Sequence, residues 1–177
     1  GEHLAIVGPN GSGKTTLAKS IAQAIQQKKQ PDEGKIISGI GISVGYYSPD
    51  SSIENQNADL LSAAKTSASG ITEQKARAVL AYWGFSPQEM AKKTVASLGR
   101  AELTLMSLAL IMLRKPNLLV LDEPTTGLDQ KMTNKLIESL GEYPGTTIAI
   151  SHDPLFLDSL NITKRLKLPS GKIEFVG

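Results

Sequence analysis

No cysteine occurs in the 177 residues. A disulfide scaffold and a zinc finger are thereby excluded, and a reducing compartment is permitted. No apolar run approaches the ~18 residues of a membrane span. The longest, such as Leu118-Leu119-Val120-Leu121, are strand-sized. No basic stretch precedes the first apolar run, as a secretory leader would require, and no initiator methionine opens the chain. The expectation is a cytoplasmic domain without direct membrane insertion, excised from a longer protein. Net charge is also nearly lacking. Nineteen Lys and Arg against 17 Asp and Glu leave +2, which neither demands nor forbids nucleic acid. There is no internal repeat and no low-complexity segment.

What is present fits one globular domain spanning residues 1–177. Hydrophobic residues make up 40% and charged residues 20%, with 16 glycines and 9 prolines. That composition excludes a disordered, collagen-like or coiled-coil chain, and the length can bury a real core.

Apolar runs at 4–7, 118–121 and 146–150 read as strands. Residues 14–27 carry Leu17, Ala18, Ile21, Ala22 and Ile25 at a helical period. Glycines and β-branched residues over 35–47 predict short strands. Residues 51–69 are weakly patterned and predict loop and broken helix. The spacing predicts a helix over 71–83, with Ala76, Val79, Leu80 and Trp83 on one face. Ser86-Pro87-Gln88-Glu89 predicts a capped helix start. Residues 100–113 form a long apolar helix ended by Pro116. Asp129 caps a helix to about 141, a short helix covers 154–160, and the chain ends in a hairpin. Strands alternating with helices predict an α/β fold with a mostly parallel sheet.

Gly8-Pro9-Asn10-Gly11-Ser12-Gly13-Lys14-Thr15 satisfies G-x-x-x-x-G-K-[ST], with a strand before it and an amphipathic helix after. Glycines let backbone N–H groups turn inward around phosphates, and the helix that starts at Lys14 adds its dipole. Residues 8–15, with Thr16 beside them, are the candidate phosphate site. Lys14 can reach β- and γ-phosphates, and the Thr15 hydroxyl can bind Mg²⁺. Asp122 and Glu123 end the apolar strand, at the edge where open α/β sheets bind ligands. Asp122 suits the Mg²⁺ shell. Glu123 suits the group that orients or deprotonates an attacking water.

Taken together, residues 8–15, Leu118-Leu119-Val120-Leu121-Asp122-Glu123, the Pro124-Thr125-Thr126-Gly127-Leu128-Asp129 that follows, and Ser151-His152-Asp153 resemble the ATP-binding cassette (ABC) ATPases over nearly the whole chain. The resemblance implies a P-loop NTPase fold with a small helical subdomain at about 50–100. It implies Mg²⁺-dependent ATP hydrolysis between two head-to-tail cassettes, from the same or another chain. In that family Asp129 belongs to a loop that crosses the dimer interface, and His152 is the switch histidine that contacts the γ-phosphate. Gly45-Tyr46-Tyr47-Ser48, Thr72-Glu73-Gln74-Lys75-Ala76-Arg77, Lys92-Lys93 and the segment from Gly145 to Asp158 look like the ABC-F subfamily, soluble two-cassette proteins that act on ribosomes. Thr126-Gly127 is closer to transporter cassettes. The resemblance therefore implies a ribosome or RNA partner, with the energy subunit of a transmembrane transporter as the alternative. A nucleotide-binding switch with little hydrolysis is a third reading.

Three departures stand out. The family's N-terminal β-subdomain is largely missing, and with it the aromatic that stacks on adenine; Tyr46 and Tyr47 read as packing residues. Pro49 stands where a glutamine is expected. The signature segment has decayed. In the gapless register Leu98, Gly99, Arg100, Ala101 and Glu102 occupy its five places, so the serine hydroxyl and both glycines are gone. A second register puts Ser97 and Gly99 in the serine and second-glycine places, at the cost of an indel before Asp122. Gly99, Arg100, Ala101, Glu102 and Asp129 are the residues expected at the interface with the second cassette.

Overall fold

A computed structural model describes residues 2–176. The elements in chain order are β1 (His3–Val7), α1 (Lys14–Gln26), β2 (Val44–Tyr47), α2 (Leu60–Ser67), α3 (Glu73–Tyr82), α4 (Pro87–Lys92), α5 (Arg100–Leu113), β3 (Leu118–Asp122), α6 (Gln130–Leu140), β4 (Thr146–Ile150), α7 (Pro154–Ser159), β5 (Lys164–Lys167) and β6 (Lys172–Phe175). A short 3₁₀ turn, Val95–Ser97, precedes α5. The chain divides into two compact units. One comprises residues 1–48, 116–124 and 143–177; the other comprises 49–115 and 125–142. No helix among the described residues is long and apolar enough to cross a membrane.

The first unit is built on one six-stranded sheet in the order β2-β3-β4-β1-β5-β6. The first five strands run parallel, and β6 returns antiparallel beside β5. Strands buried on both faces read as continuous apolar runs. Leu119, Val120 and Leu121 of β3 are fully buried, as are Ala5 of β1 and Ala149 of β4. Ile6, Ala18, Val120 and Ile150 form the centre of this core, with Leu17 and Ile21 of α1 and Tyr46 of β2 packed against it. Tyr47 is also buried. Both tyrosines therefore pack, as expected.

The segment 35–43 departs from expectation: of the short strands anticipated over 35–47, only β2 forms. Side chains satisfy its backbone instead. The Gln30 amide accepts from the Ile36 N–H and donates to its carbonyl. Asn117 accepts from the Ser43 N–H and donates to Gly41 O. With those groups already bonded locally, no ladder is needed, and Gly41 (φ 78°) turns the chain.

The second unit is helical. α2, α3 and α4 pack on one another, and α2 and α3 pack on α5. The loop predicted over 51–69 does run to residue 59, where Asp59 caps α2 by accepting from the Ser62 N–H at 2.9 Å. Thr72 caps α3 in the same way. The Ser86 and Glu89 capping box opens α4 as predicted. Ala76, Leu80 and Trp83 are buried on the inner face of α3, while Val79 is only half-buried. Asp129 caps α6, accepting from the Met132 N–H at 2.8 Å.

Leu80 is wholly buried one turn before the sole tryptophan, Trp83. Leu80→Ala should destabilise the helical unit by about 2–5 kcal/mol through lost burial and a residual cavity. Urea unfolding followed by Trp83 fluorescence checks this; an unchanged midpoint would mean that this face of α3 is not core.

Candidate functional site

The parallel order β3-β4-β1 sends three loops out from one sheet edge. β1 runs into Gly8, β3 ends at Asp122, and β4 runs into Ser151 and His152. Strands β3 and β1 lie two spacings apart, ~10 Å, which a triphosphate can bridge.

The loop after β1 is closed by its own lysine. Lys14 Nζ donates to Gly8 O at 2.9 Å and to Pro9 O at 3.0 Å. Gly11 (φ 78°) and Gly13 (φ 91°) are left-handed, and Gly13 is the N-cap of α1 with no side chain to offer. The start of α1 thus has no side-chain cap among the described residues, as suits an anion-binding helix start. Gly8 makes a close approach. A Cβ there would sit 2.5 Å from Leu168 O and 2.8 Å from Ser12 Oγ. Ser12 Oγ is itself buried with no hydrogen-bond partner among the described residues. Asn10, Thr15 and Thr16 are exposed around this cradle.

Asp122 is 2% exposed at the end of β3. Glu123 adopts φ 48°, a left-handed conformation that costs a non-glycine residue about 1–2 kcal/mol. Its N–H donates to Ile150 O at 2.8 Å, which continues the pairing with β4 past the end of β3. His152 Nε2 lies 3.3 Å from Glu123 Oε1. The first unit therefore brings together the phosphate loop, Asp122, Glu123 and His152.

Mg²⁺ fits these residues. A buried carboxylate and a threonine hydroxyl are hard oxygen donors. No group of three or more His, Cys, Asp or Glu able to hold a metal occurs among the described residues. A two-donor protein site matches a cation that keeps waters and takes its other ligands from phosphate oxygens.

Gly99, Arg100, Ala101, Glu102 and Asp129 lie in the second unit. Gly99 is the N-cap of α5 and supplies no hydroxyl. Its N–H donates to Glu102 Oε2 at 3.0 Å. Arg100 begins α5 and lies against Gly127, where a Cβ would be 3.3 Å from Arg100 Nε. Pro49 follows β2 and is exposed. Two contributors were invisible in the sequence. The Leu168 carbonyl walls Gly8 through backbone alone, from 160 residues away. Lys93 donates to Glu102 Oε1 at 2.6 Å, a contact that the Lys92-Lys93 pair does not announce in sequence.

Comparison with known proteins bears on the family and the fold. The family model described as "ABC transporter" matches residues 1–126. YdiF of Bacillus subtilis (strain 168) is 37% identical over 174 residues, covering 98% of this chain and 26% of its own length. A "Probable ATP-binding cassette sub-family F member 3 homolog" of Encephalitozoon cuniculi (strain GB-M1) is 33% identical over 160 residues, covering 88% of this chain and 26% of its own length. The chain thus spans about a quarter of these relatives. Among solved structures, the ATP-binding cassette MJ0796, a dimer in a post-hydrolysis state bound to ADP and Pi, superposes with a TM-score of 0.71 at 19% identity, covering 99% of this chain and 86% of that one. A chain of a ribosome-bound archaeal Pelota and ABCE1 assembly superposes with a TM-score of 0.69 at 24% identity, covering 94% and 28%. These two likenesses are of fold.

The two glycines of the loop make different demands. Gly8→Ala drives a methyl group into backbone and should cost about 2–5 kcal/mol. Gly11→Ala meets nothing within 4 Å and should cost only the left-handed strain, about 1–2 kcal/mol. Thermal unfolding of both variants checks the order; equal losses would place the Leu168 carbonyl elsewhere.

Proposed function

The chain belongs to the ATP-binding cassette family, has that family's P-loop fold and counts a sub-family F protein among its relatives, and on that premise we propose that it binds Mg-ATP and hydrolyses it between two head-to-tail cassettes. The observation that carries the reading is the meeting of a closed phosphate loop with Asp122, Glu123 and His152 at one sheet edge.

On this reading, residues 8–16 hold the triphosphate through loop N–H groups, and Lys14 exchanges its two carbonyl partners for β- and γ-phosphate oxygens. Thr15 and Asp122 would hold Mg²⁺, which supplies charge neutralisation on the β- and γ-oxygens when bound. Glu123 orients a water for in-line attack on the γ-phosphorus and accepts its proton as the bond to the β,γ-bridging oxygen breaks. His152, within hydrogen-bond reach of Glu123, holds that carboxylate and offers its exposed edge to the γ-phosphate. Catalysis is positioning and electrostatics, without a covalent intermediate.

The second cassette would contribute Gly99, Arg100, Ala101, Glu102 and Asp129 across the dimer interface. Relatives about four times as long leave room for that cassette in one polypeptide. The sub-family F relative and the motifs quoted for ABC-F support a soluble cytoplasmic protein acting on the ribosome. The signature segment supports a second reading, a nucleotide-dependent switch with slow turnover. Gly99 brings no hydroxyl to a partner's γ-phosphate, and Arg100 and Ala101 replace glycines there.

Lys14→Ala should weaken Mg-ATP binding at least about tenfold, roughly 1.4 kcal/mol. Calorimetric titration measures it, and unchanged affinity would remove Lys14 from the phosphate site. Glu123→Gln keeps the shape of the side chain without its basic oxygen. ATP should still bind while steady-state turnover falls ~10²-fold or more. Turnover at the parent rate would show that another group handles the water. Binding without measurable turnover in the parent itself would favour the switch.

A further inference from the structure

The start of α5 is held by a chain of charged groups that joins separate motifs. Glu102, in the first turn of α5, divides its carboxylate. Oε2 accepts from the Gly99 N–H at 3.0 Å, and Oε1 accepts from Lys93 Nζ at 2.6 Å. The same ammonium donates to Glu89 Oε1 at 2.9 Å. Glu89 Oε2 in turn accepts from the Ser86 N–H at 2.8 Å and the Ser86 hydroxyl at 2.7 Å. One cation thus joins the capping box of α4 to the cap of α5, with every oxygen of both carboxylates engaged.

Lys93 differs from an ordinary surface ion pair. Its side chain and those of Glu89 and Glu102 are each about one-third exposed or less. A single ordered lysine serves two carboxylates, so its conformational entropy is lost once for two bonds. The ammonium beside it, together with the two Ser86 donors, holds the Glu89 carboxyl down at about 2. Glu89 and Lys93 therefore stay ionised at any working pH. Without Lys93, two anions would be left facing each other across one site. Glu89 would keep its two Ser86 donors. Glu102 would keep one N–H and is the one that would swing away.

That asymmetry bears on function, because Gly99 has no side chain to cap α5. The Glu102 carboxylate instead holds the Gly99 N–H where the chain enters the helix, one residue before Arg100, which lies against Gly127. We propose that Lys93 is a positioning residue: by clamping Glu102 in the cap, it presets the start of α5, the exposed Gly99 and Arg100 and the half-buried Ala101, in the arrangement that closes on the nucleotide of the second cassette. This rests on the head-to-tail reading above.

The test uses the purified chain with Mg-ATP and the variants Lys93→Met and Lys93→Arg. In Lys93→Met, kcat and ATP-driven self-association by light scattering should fall about five- to tenfold, the scale of a lost helix cap. KM and calorimetric ATP affinity should stay close to the parent's, since the phosphate loop is untouched, and the thermal midpoint should fall by no more than about 2–8 °C, leaving the variant folded at the assay temperature. Hydrogen exchange of the Gly99 amide should accelerate by a similar factor without nucleotide. Lys93→Arg should restore most of each loss. Parent-like turnover and association in Lys93→Met would overturn the role, as would a loss that follows the thermal midpoint and is not rescued by Arg. A parent that binds ATP but neither associates nor turns over would overturn the head-to-tail reading itself, and the role of Lys93 with it; the Gly99 amide would still tell whether the clamp exists.

Discussion

The parallel pairing of β3, β4 and β1 is the constraint on which the candidate site depends. Because the strands run the same way, their carboxyl ends open at one edge, and each hands its next residues to that edge. Asp122 pairs with Ile150 at the end of the ladder. The Glu123 N–H then reaches Ile150 O, so β4 holds Glu123 as well as the segment that carries His152. The 3.3 Å approach of His152 to Glu123 is a consequence of that register. A one-residue slip of β3 would turn Asp122 to the opposite face.

Strain and close approach are both present where the chemistry is proposed. Glu123 holds a left-handed backbone conformation without being glycine. Gly8 sits where no Cβ fits, and the Ser12 hydroxyl beside it is buried without a partner among the described residues. Each of these costs free energy in the isolated chain. The costs are of the sort that a stable surrounding sheet tolerates and that a bound ligand relieves. The buried strands beneath, Leu119 to Leu121 and Ile6 among them, supply the rigidity that keeps these positions from relaxing.

The helical unit solves a different problem. At the start of α5, Gly99 is followed by Arg100 and Ala101 and not by further glycines. Glu102 occupies the Gly99 N–H, and Lys93 occupies the rest of that carboxylate. Arg100 runs over Gly127, a position that has glycine's backbone conformation and also room for the arginine stem. The start of α5 is consequently ordered by contacts within its own unit.

Much of this was legible in the letters. Glycine spacing and the flanking apolar run located the phosphate loop, because only a strand-loop-helix turn with freed N–H groups uses that pattern. The Ser86, Asp129 and Pro87 positions marked helix starts, since capping is a local, short-range interaction. The run from Leu118 to Leu121 announced a strand buried on both faces. Segment 35–43 was misread, because its isoleucines resemble strand residues while its backbone partners, Gln30 and Asn117, are side chains outside it. The tertiary structure alone decided the strand order, the left-handed Glu123, the Leu168 wall behind Gly8 and the Lys93 clamp on Glu102. Each of these joins residues through backbone carbonyls or through long flexible side chains. Such contacts have no period and no fixed spacing in sequence, so only the folded chain can specify them.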